Sequence, residues 1–338
     1  MRAAILSDGR FSIETVSDPT PEAGSVVLSV SACGLCGTDH SIYAGRLLPD
    51  GAILGHEFAG TVVEVGLGVR EWSEGDRAAV VPIPYCGRCE LCTSGQQNLC
   101  GPGLSAMMGC GGAPGGLAER VATPAASLRR LPASVEPGLG ALVEPLAVAW
   151  HAVELADIRP GTRVGVLGLG PLGLFASLIA RQKGALVFGT DSGAHRIAWA
   201  HELGLGAFAA DDQADDRIRD LTRGGPEVVF EASGRPESIE RAAHLARVGG
   251  RVVLVASYHT PAEMTPGQWF NRGISLLPSI AYTREDFAEA LDAIATRRID
   301  VAPLVRNRHS LDDVQAVFDS FSSQTETPKL VIDPSNGA

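Results

Sequence analysis

Residues 163–173 read RVGVLGLGPLG, and this stretch decides the fold class of the chain. A β-branched apolar run leads directly into a G-x-G-x-x-G pattern that opens a helical segment. In such a turn Gly168 permits the tight bend, Gly170 lets the backbone approach a pyrophosphate, and Gly173 lets helix and strand pack closely. The helix N-terminus adds unpaired N–H groups for the phosphates. The alternative is a cluster of packing glycines in an ordinary strand-to-helix turn, but the flanking strand and helix favour a dinucleotide site.

An acidic residue follows at the position that this kind of site predicts. Asp191 ends the next apolar run, 18 residues after Gly173, where its carboxylate can accept hydrogen bonds from the adenosine ribose. Because a carboxylate there repels a 2′-phosphate, the sequence predicts NAD rather than NADP as the cofactor. Arg196 could pair with such a phosphate. With Asp191 present, we expect Arg196 to line the adenine end of the site instead.

The surrounding sequence alternates between strand-like and helix-like segments. Predicted strands lie at 164–167, 186–190, 227–231 and 251–256, and predicted helices lie at 172–181, 197–203 and 239–247. This alternation predicts a parallel, doubly wound sheet. The first 145 residues read instead as short strands broken by glycine and proline, while a helix at 285–296 and a closing strand at 330–332 end the chain. We therefore expect an α/β protein whose doubly wound domain is inserted near the C-terminal end of a β-rich domain.

Composition limits the classes of function. The chain of 338 residues has a formal net charge of −11 and no basic run, which argues against nucleic acid and anionic membranes as partners. We find no signal peptide and no apolar run of about 18 residues, so we expect a soluble, cytoplasmic protein. The lysines are Lys183 and Lys329 only, which we interpret as compositional bias rather than as a functional signal.

Four of the seven cysteines crowd into a lobe at residues 86–100. Their spacing is C-x2-C-x2-C-x7-C, formed by Cys86, Cys89, Cys92 and Cys100. Four thiolates can close a tetrahedral shell around Zn²⁺ and leave no open position, which predicts a structural zinc site. An iron–sulfur cluster is a rival on spacing alone, and free thiols are the other alternative. Zinc is favoured because the rest of the chain needs no one-electron chemistry. The odd number of cysteines argues against a disulfide framework.

A second and looser set of metal-ligand residues is spread over the first domain. Cys36 lies in GLCGTDH (34–40), His56 and Glu57 lie in LGHE (54–57), and Glu144 lies in VEPL (143–146). One thiolate, one imidazole and one carboxylate would leave a coordination position open for a substrate oxygen. Each residue alone is more often structural. Their conjunction with the cysteine lobe and the dinucleotide site favours a catalytic zinc, and either glutamate is a candidate for the carboxylate ligand.

Together these motifs resemble the zinc-containing medium-chain alcohol dehydrogenase family, and the match covers essentially the whole chain. The motifs that carry it are CGTD (36–39), GHE (55–57), the cysteine lobe, EPL (144–146), the glycines of 168–173 with Asp191, and LVI (330–332). The sorbitol, threonine and related polyol dehydrogenases are the most similar branch. The resemblance implies a homo-oligomer, a dimer or a tetramer. It also implies a GroES-like catalytic domain at 1–146, a Rossmann NAD-binding domain at 147–284, and a return to the catalytic domain at 285–338.

The resemblance assigns roles around the catalytic zinc by matched position. Cys36, His56 and Glu144 would be its protein ligands, with Glu57 as an adjacent or exchanging ligand. Asp39 would be the carboxylate that fixes the tautomer of His56.

The resemblance also implies the cofactor contacts and the reaction. Leu172, Asp191 and Arg196 fall at positions that contact NAD. The expected reaction moves a hydride between a secondary alcohol, which is a small-molecule substrate, and the nicotinamide ring. Zinc would lower the pKa of the substrate hydroxyl, and Thr38 would pass its proton towards the cofactor ribose.

Two departures from the family pattern bear on the substrate. Members of this branch often carry a histidine five residues after the zinc cysteine, where this chain has Ser41, and His40 stands one place earlier. Residues 279–282 read SIAY, where sorbitol-type enzymes have Phe-Arg-Tyr. Tyr282 remains a candidate substrate contact, but Ala281 removes a guanidinium that would hold polyol hydroxyls. We therefore expect a polyol, cyclitol, amino sugar or hydroxy amino acid rather than sorbitol itself.

Two other functions are compatible with parts of this pattern. A zinc enzyme that oxidises its substrate only transiently would give net epimerisation or elimination, and reduced cofactor would not accumulate. A non-catalytic dinucleotide-binding relative would have kept the fold and lost the open zinc shell, whereas Cys36, His56 and both glutamates are present.

Overall fold

The computed structural model describes residues 1–323 and 325–335, and the chain forms two compact units. The first unit comprises Met1–Glu144 and Thr283–Ala338, and the second comprises Pro145–Tyr282. The second unit is therefore inserted into the first. Each observed division lies two residues before the boundary that the sequence predicts.

The strands are numbered in chain order over the described residues. They are β1 (Arg2–Ser7), β2 (Arg10–Thr15), β3 (Ser25–Gly34), β4 (Glu57–Val65), β5 (Arg77–Val80), β6 (Arg120–Pro124), β7 (Leu128–Arg130), β8 (Arg163–Leu167), β9 (Leu186–Asp191), β10 (Gly206–Ala209), β11 (Val228–Glu231), β12 (Arg251–Leu254), β13 (Ser275–Pro278), β14 (Arg308–Ser310) and β15 (Val331–Asp333).

The α-helices are numbered in the same way. They are α1 (Gly37–Gly45), α2 (Glu90–Thr93), α3 (Gly101–Ser105), α4 (Val143–Leu155), α5 (Pro171–Gln182), α6 (Ala194–Glu202), α7 (Ala214–Leu221), α8 (Glu237–Leu245), α9 (Pro266–Arg272), α10 (Arg284–Ala295) and α11 (Val314–Ser320). Short 3-10 helices lie at Gln97–Leu99, Ala125–Ser127, Pro137–Leu142, Ala302–Leu304 and Leu311–Asp313.

The first unit is built on a mostly antiparallel sheet with the strand order β14-β15-β3-β4-β5-β7, and β6 pairs with β3. The long strand β3 buries Val26, Leu28 and Val30 in the core. At its end, Gly34 pairs both with Glu57 of β4 and with Val331 of β15. The C-terminal strand therefore returns beside the segments that carry the predicted zinc ligands.

The second unit contains six parallel strands in the order β10-β9-β8-β11-β12-β13 among its described residues. The four strands that the sequence predicts correspond to β8, β9, β11 and β12. Two strands are not among those predicted: β10, whose sequence GAFA has little β-propensity, and β13, an edge strand with mostly exposed residues. Helices flank the sheet as predicted, and the α/β class is confirmed.

The described helices are also informative about membranes. None of the helices within residues 1–323 and 325–335 combines the length and the apolar character that a membrane span requires.

Candidate active site

Cys36 and His56 lie together at the end of the β3–β4 pair. Cys36 is the N-cap of α1, and its Sγ accepts a hydrogen bond from the Thr38 N–H at 3.2 Å. His56 directly precedes β4, and its Nε2 lies 3.3 Å from Cys36 Sγ. Tetrahedral zinc bound by one thiolate and one imidazole separates the two donor atoms by about 3.6 Å. The pair therefore has a separation that suits a shared zinc ion.

Asp39 holds the histidine from its other side. The carboxylate is fully buried, and its Oδ1 lies 3.3 Å from His56 Nδ1. Its Oδ2 accepts the Cys36 N–H at 3.0 Å, and Oδ1 also accepts the Gly55 N–H at 3.3 Å. Burial alone would lower the pKa of His56, but Asp39, Cys36 and Cys110 together outweigh it and raise that pKa well above its usual value. Asp39 thus orients the ring so that Nε2 faces Cys36.

Two buried glutamates complete this cluster. His56, Glu57 and Glu144 each offer one donor atom within 4.8 Å of the others. Glu57 also pairs with Lys329, whose Nζ lies 2.7 Å from Oε1 and 2.5 Å from Oε2. The same ammonium donates to the Leu35 carbonyl at 2.8 Å. Glu57 therefore neutralises a buried lysine.

Lys329 is a residue that the sequence analysis missed. Its side chain is only 1% exposed, and the return of β15 beside β3 brings it to Glu57. A Cβ on Gly34 would lie 2.2 Å from Glu57 Oε2, so glycine at this position makes room for the carboxylate. The available signal was the rarity of lysine, since Lys183 is the other lysine of the chain and arginine supplies the remaining strongly basic side chains.

Cys110 is a second such residue. Its Sγ lies 3.4 Å from His56 Nδ1. The approach depends on Gly109, which has φ +72° and whose Cβ, if present, would lie 2.4 Å from the Gly55 carbonyl oxygen. The glycine-rich composition of residues 109–116 was the available signal for a loop that packs closely against other backbone.

The remaining predicted substrate-side residues have diverse surroundings. Thr38 is exposed on the first turn of α1, and its role in proton transfer stays a prediction. The His40 ring stacks on Phe321 with 4.9 Å between the ring centroids, and the neighbouring Ser41 is half-buried. Tyr282 is the last residue of the second unit, and its side chain is fully buried.

The cysteine lobe has a different construction. One Sγ from each of its four cysteines lies within 4.8 Å of the others. Cys86 and Cys92 have Sγ atoms 3.9 Å apart, as do Cys89 and Cys100. Tetrahedral zinc with four thiolates places the sulfurs about 3.8 Å apart, so the four side chains fit this ion.

Backbone N–H groups support these thiolates. The Cys86 N–H and the Gly103 N–H point at Cys100 Sγ, at 3.5 and 3.4 Å. Donation from the backbone N–H groups of Arg88 and Cys89 lowers the pKa of Cys86 to about 6. Burial instead raises the pKa of Cys92 to about 12, so the backbone favours the anionic sulfur that a metal requires at Cys86 but not at every cysteine of the lobe.

In the second unit, the turn between β8 and α5 gives each glycine a distinct environment. Gly168 has φ +93°, and a Cβ there would lie 2.6 Å from the Ser233 nitrogen. A Cβ on Gly173 would lie 1.9 Å from the Gly168 carbonyl oxygen. Gly170 caps α5 and has no atom within 4 Å of its Cβ position, so space remains over the helix N-terminus. These environments match the roles that the sequence analysis assigns, and cofactor binding here stays a prediction.

Asp191 ends β9 beside this turn. Its Oδ2 accepts the Leu169 N–H and its Oδ1 accepts the Gly193 N–H, both at 2.8 Å. Arg196 Nη1 lies 3.5 Å from Oδ2, and Leu172 is half-buried on the first turn of α5. Because each carboxylate oxygen has two lone pairs, Asp191 keeps capacity for ribose hydroxyls.

Comparison with known proteins agrees with this geometry. Residues 22–133 match the family described as Alcohol dehydrogenase GroES-like domain, and residues 171–296 match the family described as Zinc-binding dehydrogenase. A 2-dehydro-3-deoxy-L-galactonate 5-dehydrogenase of Pseudoalteromonas atlantica is 32% identical, with 98% of each chain covered. A sorbitol dehydrogenase of Halalkalibacterium halodurans is 31% identical, with 96% of each chain covered. The structure of a Sinorhizobium meliloti protein bound to NADP superposes with a TM-score of 0.90 at 32% identity, covering 98% of this chain and 99% of that one.

The chain belongs to the zinc-binding alcohol dehydrogenase family. It is an enzyme that transfers a hydride between a small alcohol substrate and a nicotinamide dinucleotide, with zinc as its metal. The resemblance to the polyol dehydrogenase branch and the expected combination of a GroES-like and a Rossmann domain are both confirmed.

Proposed function

We propose that the enzyme oxidises a secondary hydroxyl of a small polar alcohol, with Cys36, His56 and Glu144 as the ligands of its catalytic zinc. The observation that carries this proposal is the 3.3 Å approach of Cys36 Sγ to His56 Nε2. Glu144 is preferred to Glu57 because Glu57 already neutralises the buried ammonium of Lys329. The four cysteines of the lobe hold a second, structural zinc.

Zinc at such a site supplies a Lewis acid that lowers the pKa of a nearby hydroxyl group. The side chains around it have separate tasks. Asp39 keeps His56 in the tautomer whose Nε2 is available to the metal. Lys329 fixes Glu57 so that it stays beside the site without competing for the ion. The Thr38 hydroxyl, on the exposed first turn of α1, carries the substrate proton outward.

NAD supplies the hydride acceptor and binds to the second unit. The Gly168–Gly173 turn receives the pyrophosphate, and Leu172 lines it. Asp191 accepts hydrogen bonds from the adenosine ribose and repels a 2′-phosphate, while Arg196 lines the adenine end. Measurement of kcat/KM with each cofactor tests this assignment, and we expect the value with NAD to be at least tenfold higher than the value with NADP. Reversal of that preference would contradict it.

The substrate class follows from the branch and from the absent arginine. One relative is a dehydrogenase of a sugar acid, and another is a sorbitol dehydrogenase. Ala281 stands where sorbitol-type enzymes carry a guanidinium, so we do not expect sorbitol to be the substrate. The candidate substrates are other polyols, cyclitols, amino sugars, hydroxy amino acids and sugar acids. Tyr282 is retained as a candidate substrate contact.

The proposal also covers the two domains, the oligomeric state and the cellular location of the enzyme. The residues 1–144 with 283–338 act as the catalytic domain, and the residues 145–282 act as the cofactor domain. The edge strand β13 exposes Leu276, and the neighbouring Ile280 and Phe270 are also exposed, which supports a homo-oligomer. Seven unpaired cysteines, including the zinc lobe, suit the reducing cytoplasm.

A screen of NAD reduction across polyols, cyclitols, amino sugars, threonine and sugar acids tests the function, with zinc measured on the same sample. We expect sustained accumulation of NADH with one substrate class and two zinc ions per chain. Net conversion of substrate without accumulating NADH would indicate transient oxidation instead. Full turnover by zinc-free protein would overturn the proposal.

A further inference from the structure

A small cavity in the first unit has two guanidinium groups in its wall. Its volume is about 70 Å³, and the wall includes Val81, Ile83, Tyr85, Ser127, Arg129 and Arg284. A cavity volume of about 10–15 Å³ admits one water molecule, so this one has room for a small oxyanion together with water. None of these residues belongs to the metal or cofactor sites described above.

The two arginines lack a carboxylate partner. Arg129 Nη1 donates to the Leu128 and Ala126 carbonyls at 2.8 and 3.2 Å, which fixes the side chain and leaves its other N–H groups available. The Arg284 guanidinium lies 5.8 Å from the centroid of the Tyr85 ring. Neither arginine forms an ion pair within residues 1–323 and 325–335. Arg77 and Arg272 are also half-buried without a described ion pair, but each of them donates through both terminal nitrogens to backbone carbonyls.

The two guanidinium charges repel each other. Burial and then the charge of Arg284 lower the pKa of Arg129 below its usual value, while the exposed Glu285 opposes this only in part. The chain has 39 acidic and 28 basic residues apart from histidine, so carboxylates were available to pair with these arginines. Because no carboxylate of the described residues forms an ion pair with these two guanidinium groups, an anion from outside the chain could neutralise them beside the apolar walls.

We propose that the cavity between Arg129 and Arg284 is an oxyanion-binding site that takes a phosphate or a carboxylate group. A guanidinium matches both groups because its parallel N–H donors bind two oxygens at once. The Ser127 hydroxyl adds a further donor, and the apolar side chains of Val81 and Ile83 strengthen the attraction by excluding water. The group is either free inorganic phosphate or the acidic end of a sugar acid or sugar phosphate.

Thermal unfolding with inorganic phosphate tests binding, with sodium chloride matching the ionic strength and saturating NAD present to occupy the pyrophosphate site. We expect phosphate at about 100 times its Kd to raise Tm by about 5 °C in the wild-type enzyme. Arg284→Gln and the double variant Arg129→Gln/Arg284→Gln should lose this rise. Arg120→Gln is the matched control, because Arg120 is half-exposed in the same unit and pairs with Asp18.

The Arg284 variant is not expected to misfold, since the attractive contact that the structure describes for this side chain is the one with the Tyr85 ring, and its charge repels Arg129. An undiminished phosphate response in both variants would overturn the proposal, as would the absence of any response in the wild-type enzyme.

Kinetics distinguish the two sources of the oxyanion. If the substrate brings the group, Arg284→Gln should raise KM for a sugar acid at least tenfold, leave KM for the matched neutral polyol unchanged, and make phosphate a competitive inhibitor of the acid in the wild-type enzyme. If free phosphate is the ligand, both KM values should stay unchanged while the phosphate-dependent Tm rise is lost. A change in KM for the neutral polyol alone would contradict an oxyanion site.

Discussion

The cysteine lobe and the Cys36 site use similar donor atoms but are assembled in opposite ways. The lobe draws four thiolates from fifteen consecutive residues, and backbone N–H groups nearby support them. The proposed Cys36 site would take its donors from residues 36, 56 and 144; Cys36 and His56 lie in one cluster, His56 and Glu144 in another, and buried charged side chains surround them. A closed local shell suits a structural ion, whereas a mixed shell whose ligands are oriented by other side chains suits a reactive one.

The largest expected contrast concerns turnover. Cys36→Ser should reduce kcat about 1000-fold, because Lewis-acid catalysis contributes several kcal/mol and each 1.4 kcal/mol is a tenfold change in rate. The Tm should change little, because Cys36 is half-buried and caps α1 in a way that serine can replace. Stopped assays with saturating NAD measure kcat, thermal unfolding measures Tm, and the zinc content is determined on the same samples. Near-normal turnover of this variant would rule out the zinc mechanism.

The next contrast concerns the charges around the Cys36 site. Lys329→Met leaves the Glu57 carboxylate buried without its ammonium, which should cost about 3–5 kcal/mol of unfolding free energy. Lys183→Met is the matched control, because Lys183 pairs with the half-exposed Glu154 and such pairs contribute about 0–1 kcal/mol. Denaturant unfolding measures both.

The double variant Lys329→Met/Glu57→Gln separates the charge from the packing. It should recover most of the lost stability, because no buried carboxylate then remains unpaired. Equal losses for Lys329→Met and Lys183→Met would show that the buried pair has no special energetic role.

These two sites also differ in how far the sequence predicts them. The lobe can be predicted because its ligands are close together in the sequence and their spacing alone specifies a tetrahedral set. The glycine turn and Asp191 are readable because a strand, a turn and a helix follow one another in sequence. The contact of Lys329 with Glu57 cannot be predicted, since the two residues are 272 positions apart and meet only through the pairing of β15 with β3.

The missed strands have the same kind of explanation. The sequence of β10 is GAFA and the side chains of β13 are mostly exposed, so neither shows the apolar, β-branched run by which the equally short β11 and β12 are predicted, and their neighbours in the parallel sheet define them. Cys110 likewise reaches His56 only because glycine backbones pack closely around it.

A third contrast reverses the first. Cys89→Ser should lower Tm by about 10 °C, because a structural zinc contributes directly to folding free energy. Turnover per folded molecule, measured well below that Tm, should stay within a few-fold of the wild-type value. A large loss of turnover at unchanged Tm would mean that the lobe and the Cys36 site have exchanged roles.

The smallest expected effect concerns Asp39, which orients a ligand through its carboxylate, whereas backbone N–H groups support the thiolates of the lobe. Asp39→Asn keeps one of the two oxygens that accept the backbone N–H groups of Cys36 and Gly55, and it removes the charge that orients His56. Affinity for the catalytic zinc should fall about 10–100-fold, as is usual when the carboxylate partner of a metal-binding histidine is removed. The lobe zinc should be retained, because its thiolates are supported by backbone groups instead.

Competition with a graded series of chelators resolves the two ions, and zinc added back should restore turnover of the Asp39 variant. Asp76→Asn is the matched control, since Asp76 also accepts a backbone N–H, from Ser73 at 2.9 Å, and pairs with an arginine away from both metal sites. If Asp39→Asn released both ions at the same chelator strength, the two shells would share one source of stability. The contrast between local and long-range construction would then have no bearing on how tightly each ion is held.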